Sequence, residues 1–243
     1  MRCSVQSGHT ARGLGNRLEF MHLNSALLFS KYATRYLPAN GKVLEIGPTG
    51  IPSEYQKLAN IPGSTWDFID FPDTDYNHAA PTRLTYALQD PYKFPMADGQ
   101  YDVVLSGQVI EHVQKPWLWL GELKRVIRSN GLIITINPVS WPYHEAPIDC
   151  WRIYPSGIEG LAEEHGLSVE CCVCESLEAE RLREDRVRGR LIPGRSYVDG
   201  ENGYYASVAM RWNRSVGPLP YFGSRLLFPI EVAYDVISVL RKK

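Results

Sequence analysis

The chain has 243 residues, 44% of them hydrophobic and 22% charged, a size and balance suited to one α/β domain around a substantial core. Its 26 basic and 27 acidic side chains give a formal net charge of −1, which disfavours a protein dedicated to DNA or RNA. No apolar run is long enough to span a bilayer and MRCSVQSGHTARG lacks the apolar core of a signal peptide, so a cytoplasmic protein without a transmembrane segment is expected.

Residues 1–17 are polar and glycine-rich and read as a mobile arm. Leu18, Met21, Leu28, Tyr32 and Tyr36 fall three, four or seven apart, which predicts a helix within 18–41, stopped by LPANG. KVLEIG (42–47) follows as an apolar strand, EYQKLAN (54–60) as a short helix and TWDFIDF (65–71) as a second strand ending in Asp70. LTYALQD (84–90) suits a third strand ending near Asp90, and YDVVLSG (101–107) a fourth.

The helix WLWLGELKRVIRSNG puts Leu120, Leu123, Val126 and Ile127 on one face, and Asn130-Gly131 ends it with residues that tolerate the left-handed conformation. LIITINP (132–138) is apolar throughout, as a strand covered on both faces should be. Ser156 and Glu159 are spaced as a capping box for a helix over 155–166. LSVECCVCE and YYASVAMRW supply two further strands around a charged insertion. In CCVC (171–174) the cysteines alternate between faces, so small buried side chains are expected there and not a zinc site. Ile230, Ala233, Tyr234 and Ile237 form a helical stripe after Pro229, which predicts a terminal helix that docks on the sheet or serves a homodimer.

Strands alternating with helices predict a doubly wound α/β fold, and ligands of such sheets bind at the carboxyl ends of the strands. Glu45, Gly47, Asp70, Asp90 and Ser106 all fall there. Gly47 and Gly50 let a ligand approach the backbone, and an acid ending the second strand can accept hydrogen bonds from a ribose diol. Such a pair also suits a nicotinamide enzyme, although Glu45 just before the turn fits that class poorly.

VLEIGPTG, FIDFPD, LQDPYKFPMADGQYDVVLSGQVIEHV and ELKRVIRSNGLIITINP, taken in order over residues 40–140, resemble the successive motifs of class I S-adenosylmethionine-dependent methyltransferases of the type 11 branch. The resemblance implies a Rossmann-like seven-stranded sheet, mostly parallel with an antiparallel last strand, and a cofactor-binding core over 42–140. It implies that Glu45 and Gly47 line the methionine end of S-adenosylmethionine, that Asp70 holds the ribose, that Asp90 meets the adenine amine, and that Ser106 and Gln108 pass near the sulfonium. The family's glycine loop reads E-x-G-x-G-x-G. Here Thr49 and Ile51 stand at the second and third glycines, with Gly50 between them.

The region 141–243 carries the acceptor loop and the last elements. NPVSWPYHEAPIDCWRIYPSGIEGL resembles the H-x-x-P-x-D-x-W-R segment of bacterial type 11 methyltransferases, many tied to polysaccharide or secondary-metabolite pathways. Trp141, Tyr143 and Trp151 offer ring faces to a sugar, or else pack the loop onto the sheet, and Arg152 suits a carboxylate or phosphate. Removing a hydroxyl proton asks for a base near neutrality, for which His144 is the first candidate, His112 the second, and Asp149 the partner of His144. The spacing of His144, Glu145 and Asp149 does not specify a metal, and no metal site is expected. The expected activity is O-methylation of a small-molecule or glycan acceptor. N- or C-methylation of a natural product and a non-catalytic scaffold without cofactor stand as alternatives.

Overall fold

The structure is a computed structural model and describes residues 23–72, 84–141, 143–144, 147–177 and 233–243. The first strand, β1 (Lys42–Ile46), lies between β2 (Thr65–Asp70) and β4 (Tyr101–Gly107), parallel to both. A short β3 (Tyr86–Ala87) extends the sheet beyond β2, and β5 (Ile127–Pro138) pairs in parallel with β4. The last strand, β7 (Asp235–Lys242), inserts between β5 and β6 (Leu167–Glu175) and runs antiparallel to both. The order is therefore β3-β2-β1-β4-β5-β7-β6, with strands added outward in opposite directions from the parallel β1/β4 pair, the place where such sheets form a ligand crevice.

Side chains of successive strand residues alternate between two apolar layers. Leu44, Val104 and Ile133 point into a layer closed by Trp119, Leu120 and Leu123 of α3 (Pro116–Val126) and by Ile158 and Ala162 of α4 (Pro155–Glu164). Val43, Val103, Leu105 and Ile134 point the other way, against Leu28 of α1 (Leu23–Leu28), Phe29 and Ala33 of the π turn that follows it, and Tyr55 of α2 (Glu54–Ala59). Both faces of the sheet are covered, which explains the near-continuous apolar strands.

The terminal helix expected over 230–237 is corrected: residues 235–242 form β7. Val236, Ile237, Val239 and Leu240 are all buried, and a β-branched run between two neighbouring strands satisfies its backbone through both ladders. YYASVAMRW, the strand expected in that role, lies outside the described residues, as does the segment 1–17. The described part of the first helix passes from α1 through a π turn (Phe29–Ala33) into a 3₁₀ turn (Thr34–Tyr36). Ser156 does not cap α4, because Tyr154 occupies the N-cap position and Pro155 takes the first turn. Asn130 does adopt the left-handed conformation (φ 63°), but the chain already pairs with Tyr101 from Ile127 onward.

Candidate functional site

The site is built where β1, β2, β4 and β5 end and β7 begins. Glu45 lies on the sheet face covered by α2 and is 2% exposed. Ser53 holds it there: its hydroxyl donates to Glu45 Oε2 (2.5 Å) and accepts the Gln56 N–H (3.0 Å), so one side chain caps α2 and anchors the carboxyl. Burial pushes the Glu45 carboxyl up to about 8, against the opposing pull of the Ser53 hydrogen bond. Gly47 then turns with φ +67° and donates to the Ile69 carbonyl (3.0 Å), and a Cβ there would lie 2.7 Å from Val109. Gly50 differs, for a Cβ on it would meet open space.

Asp70 ends β2, accepts the Phe71 N–H (2.8 Å), and is pushed up to about 6 by burial despite that bond. Asp90 is exposed and stands in a turn past the two-residue β3, accepting the Tyr92 N–H (2.8 Å). Ser106, near the end of β4, is buried with its hydroxyl lacking a hydrogen-bond partner. Gln108 follows with φ 57°, and its amide donates to Ser25 Oγ (2.8 Å) and Asp235 Oδ1 (3.1 Å) while its own oxygen has no hydrogen-bond partner. Asp235 is fully buried at the start of β7, receives Asn24 Nδ2 (2.7 Å), and burial raises it to about 6.

A second group of polar side chains sits beside these strand ends. A 3₁₀ turn (Ile110–His112) after β4 buries Glu111, and neither of its carboxylate oxygens has a hydrogen-bond partner. Burial pushes its carboxyl up to about 8. Its backbone carbonyl receives the N–H groups of Cys150 (2.7 Å) and Trp151 (3.2 Å), which ties the loop after β5 to this turn. The rings of His112 and His144 meet edge to face, 4.9 Å apart. His112 Nδ1 lies 2.5 Å from the Ile148 carbonyl, and burial lowers this histidine's pKa. Asp149 accepts the His144 N–H (2.9 Å) and lies 3.5 Å from His144 Nδ1.

Arg152 meets Asp149 through both guanidinium nitrogens (2.5 and 2.7 Å) and donates to the carbonyls of Trp141 and Trp151. That fork holds the Asp149 carboxyl down at about 2. Arg152 was expected to grip the acceptor; here it fastens its own loop. Of the aromatic residues, Tyr143 is 71% exposed, Trp151 is 37% exposed with its indole N–H on the Val113 carbonyl (2.9 Å), and Trp141 is half-buried.

Residues 68–135 match the family model described as "Methyltransferase domain". An "Uncharacterized methyltransferase" of Mycobacterium sp. (strain KMS) is 33% identical over 105 residues, 42% of this chain and 40% of that protein. A namesake from Mycobacterium tuberculosis (strain ATCC 25177 / H37Ra) is 35% identical over 102 residues, covering 40% of this chain and 39% of its own. The match thus spans about 40% of the length of the curated relatives. Among solved structures, phosphoethanolamine N-methyltransferase 2 of Haemonchus contortus, in complex with S-adenosyl-L-methionine, superposes with a TM-score of 0.53 at 17% identity, over 90% of this chain and 52% of that one.

Over its matched part the chain is similar to methyltransferase domains, and its sheet has the Rossmann-like fold of solved methyltransferases. The same fold also serves the [4+2]-cyclase SpnF, which superposes at a TM-score of 0.52 and 16% identity over 88% of this chain and 79% of its own, so the fold alone does not fix the reaction. In this fold the sequence-based candidates Glu45, Gly47, Asp70 and Ser106 gather along one end of the sheet, and His112, His144 and Asp149 cluster beside Glu111. Sequence reasoning missed Ser53, Glu111, Asn137 and Asp235. The signal was present for three of them: a polar residue inside LIITINP, an acid heading VISVL, and an acid beside His112.

Proposed function

We propose that the chain is a cytoplasmic S-adenosylmethionine-dependent methyltransferase acting on a small polar acceptor, with a hydroxyl of a sugar or glycan precursor as the acceptor class. The observation that carries the cofactor reading is the turn after β1. Buried Glu45 stands before it, Gly50 faces open space within it, and the partly buried Asp70 ends the adjacent strand. The orphaned Ser106 hydroxyl at the same edge is a further polar group awaiting a partner.

These residues fit a cationic nucleoside. Glu45 would meet its ammonium, Asp70 its ribose diol and Asp90 its adenine amine, with the Gly47–Gly50 backbone lying against it. When bound, the cofactor supplies a methyl group activated by its positive sulfur. The chain's own work is to hold the acceptor in line and keep water out, and such positioning accounts for much of the acceleration in group transfers of this kind. Tyr143 and Trp151 offer exposed ring faces on which a sugar can stack, and the half-buried Trp141 is the third aromatic residue of the loop. His144, oriented by Asp149 and one-third exposed, is assigned the activation of the acceptor hydroxyl.

The test is transfer of a tritium-labelled methyl group from S-adenosylmethionine to a panel of sugars, sugar nucleotides and primary amines. Label is expected in ether linkage on hydroxyl acceptors, with kcat lowered about 10²- to 10⁴-fold in His144→Ala. Label confined to the amines, at a rate indifferent to His144→Ala, would contradict the acceptor class.

A further inference from the structure

Glu111 poses a problem that the methyltransferase reading does not solve. It is 1% exposed, and both carboxylate oxygens lack hydrogen-bond partners. Burying an unpaired carboxyl costs several kcal/mol, and native proteins rarely leave one without a compensating partner. The Arg152 guanidinium acts on it only through space, without a hydrogen bond, and His112 Nε2 lies 3.8 Å from Glu111 Oε1. One ligand atom each from Glu111, His112 and His144 all lie within 4.8 Å of one another.

The tautomers of the two histidines point the same way. The Ile148 carbonyl can only accept, so His112 Nδ1 carries the proton and Nε2 keeps its lone pair. Asp149, fixed by Arg152, stands 3.5 Å from His144 Nδ1 and favours a proton there as well, leaving Nε2 of that ring as its lone-pair nitrogen. A carbonyl behind one imidazole and a carboxylate behind the other is the outer arrangement that orients histidine for a metal and raises its basicity.

We propose that Glu111, His112 and His144 form a binding site for a divalent transition-metal cation of the zinc class. Two imidazoles and one carboxylate suit such borderline cations, whereas Mg²⁺ and Ca²⁺ favour oxygen ligands throughout. Three protein ligands leave at least one coordination position open. The role of that position rests on the proposed function: an acceptor hydroxyl bound there loses its proton to solvent more readily, and His144 acts through the cation and not as a free base. Binding itself does not depend on that reading.

The experiment uses the full chain stripped with a chelator, titrated with Co²⁺ and followed by visible absorption, and with Zn²⁺ followed by calorimetry. S-adenosylhomocysteine binding is measured on the same samples. One Co²⁺ per chain is expected, with the absorption of a nitrogen–oxygen site. Glu111→Gln and His144→Ala should each weaken binding at least about a hundredfold, and Asp149→Asn about tenfold or more, since outer partners alone are worth 10- to 100-fold. His144 is partly exposed, so His144→Ala decides the matter if Glu111→Gln fails to fold.

A folded wild-type protein that takes up neither Co²⁺ nor Zn²⁺ would overturn the site. So would binding that survives His144→Ala, a thiolate charge-transfer band pointing to Cys150 or the 171–174 cysteines, or uptake of Mg²⁺ alone. Metal uptake without S-adenosylhomocysteine binding would support the site and count against the cofactor reading instead.

Discussion

Gly47 and Gly50 stand in one turn and answer to different demands. Gly47 is required by the fold itself, through its left-handed φ and the approach of Val109, whereas no neighbour requires Gly50 to lack a side chain. Glu45 behaves differently again, as a group whose ionisation opposes folding. Its carboxyl titrates near 8 in the folded chain because burial penalises the charged form, and near 4.5 when unfolded. The folded state therefore holds a proton that the unfolded chain has released, so this contribution to stability is full below pH 4.5 and is lost as pH rises through about 8. The slope approaches about 1.4 kcal/mol per pH unit within that window. Glu45→Gln removes this contribution and leaves those of the other buried carboxyls, Asp70 and Asp235 among them, in place. Urea unfolding at pH 5 and pH 8 should show the wild type losing more stability than the variant, and equal losses would count against a buried, protonated Glu45.

At that same scale, residues fixed by their place along a strand were legible in the sequence. Glu45, Gly47 and Asp70 could be read because strand ends can be read. Glu111 and Asp235 show in the sequence only as an acid beside His112 and an acid ahead of VISVL, because what makes them notable is burial in the folded chain: Asp235 meets Asn24, 211 residues distant, and Gln108, 127 residues distant. The ion pair of Arg152 was hidden for a related reason. An arginine in a polar loop suits an anion, but Asp149 three residues earlier lies close enough to take both arms of its fork.

Among the elements, β7 is the one whose type was misread. Over Ala233–Ile237 the apolar residues fall at helical spacing, while VISVL is equally a buried strand, and periodicity does not separate the two in so short a run. The neighbours decide it, since β5 and β6 each offer β7 an open ladder. Lys242 adds a tie at the far end, donating to the carbonyls of Lys124 and Ile127 (2.9 and 2.8 Å) where α3 ends. Because β7 pairs on both sides, Val239→Pro should cost about 3 kcal/mol or more, through a lost ladder bond and ring crowding. A loss below about 1 kcal/mol in urea unfolding would speak for a peripheral segment. The other strands were legible in kind and less so in extent: β3 shrank to two residues and β5 gained five ahead of Leu132.

Over the whole molecule, the order 3-2-1-4-5-7-6 brings the carboxyl ends of β1, β2, β4 and β5 and the start of β7 to one edge. A chain that buries Glu45, Ser106, Glu111, Asn137 and Asp235 along that edge accepts a stability cost there while packing both faces of the sheet with apolar residues elsewhere. Ligands that complete such a site should stabilise the folded state in proportion to their occupancy. Alternation of strands and helices made this edge legible as the place where the strand-end polar residues gather. The loop carrying His144 and Asp149 was legible in its residue types, and only the folded chain shows that it closes onto Glu111.

The central claim is that this edge holds a sulfonium nucleoside, and the most direct measurement is calorimetric titration of the full chain with S-adenosylhomocysteine, beside NAD. Asp70→Ala and Gly50→Ala serve as the variants. The account expects one molecule of S-adenosylhomocysteine bound per chain, no NAD, an affinity at least about tenfold weaker in Asp70→Ala through a lost charge-assisted pair of hydrogen bonds, and weakened binding in Gly50→Ala with little change in stability. A folded wild-type protein that fails to bind S-adenosylhomocysteine, or binds it equally well without Asp70, would contradict it.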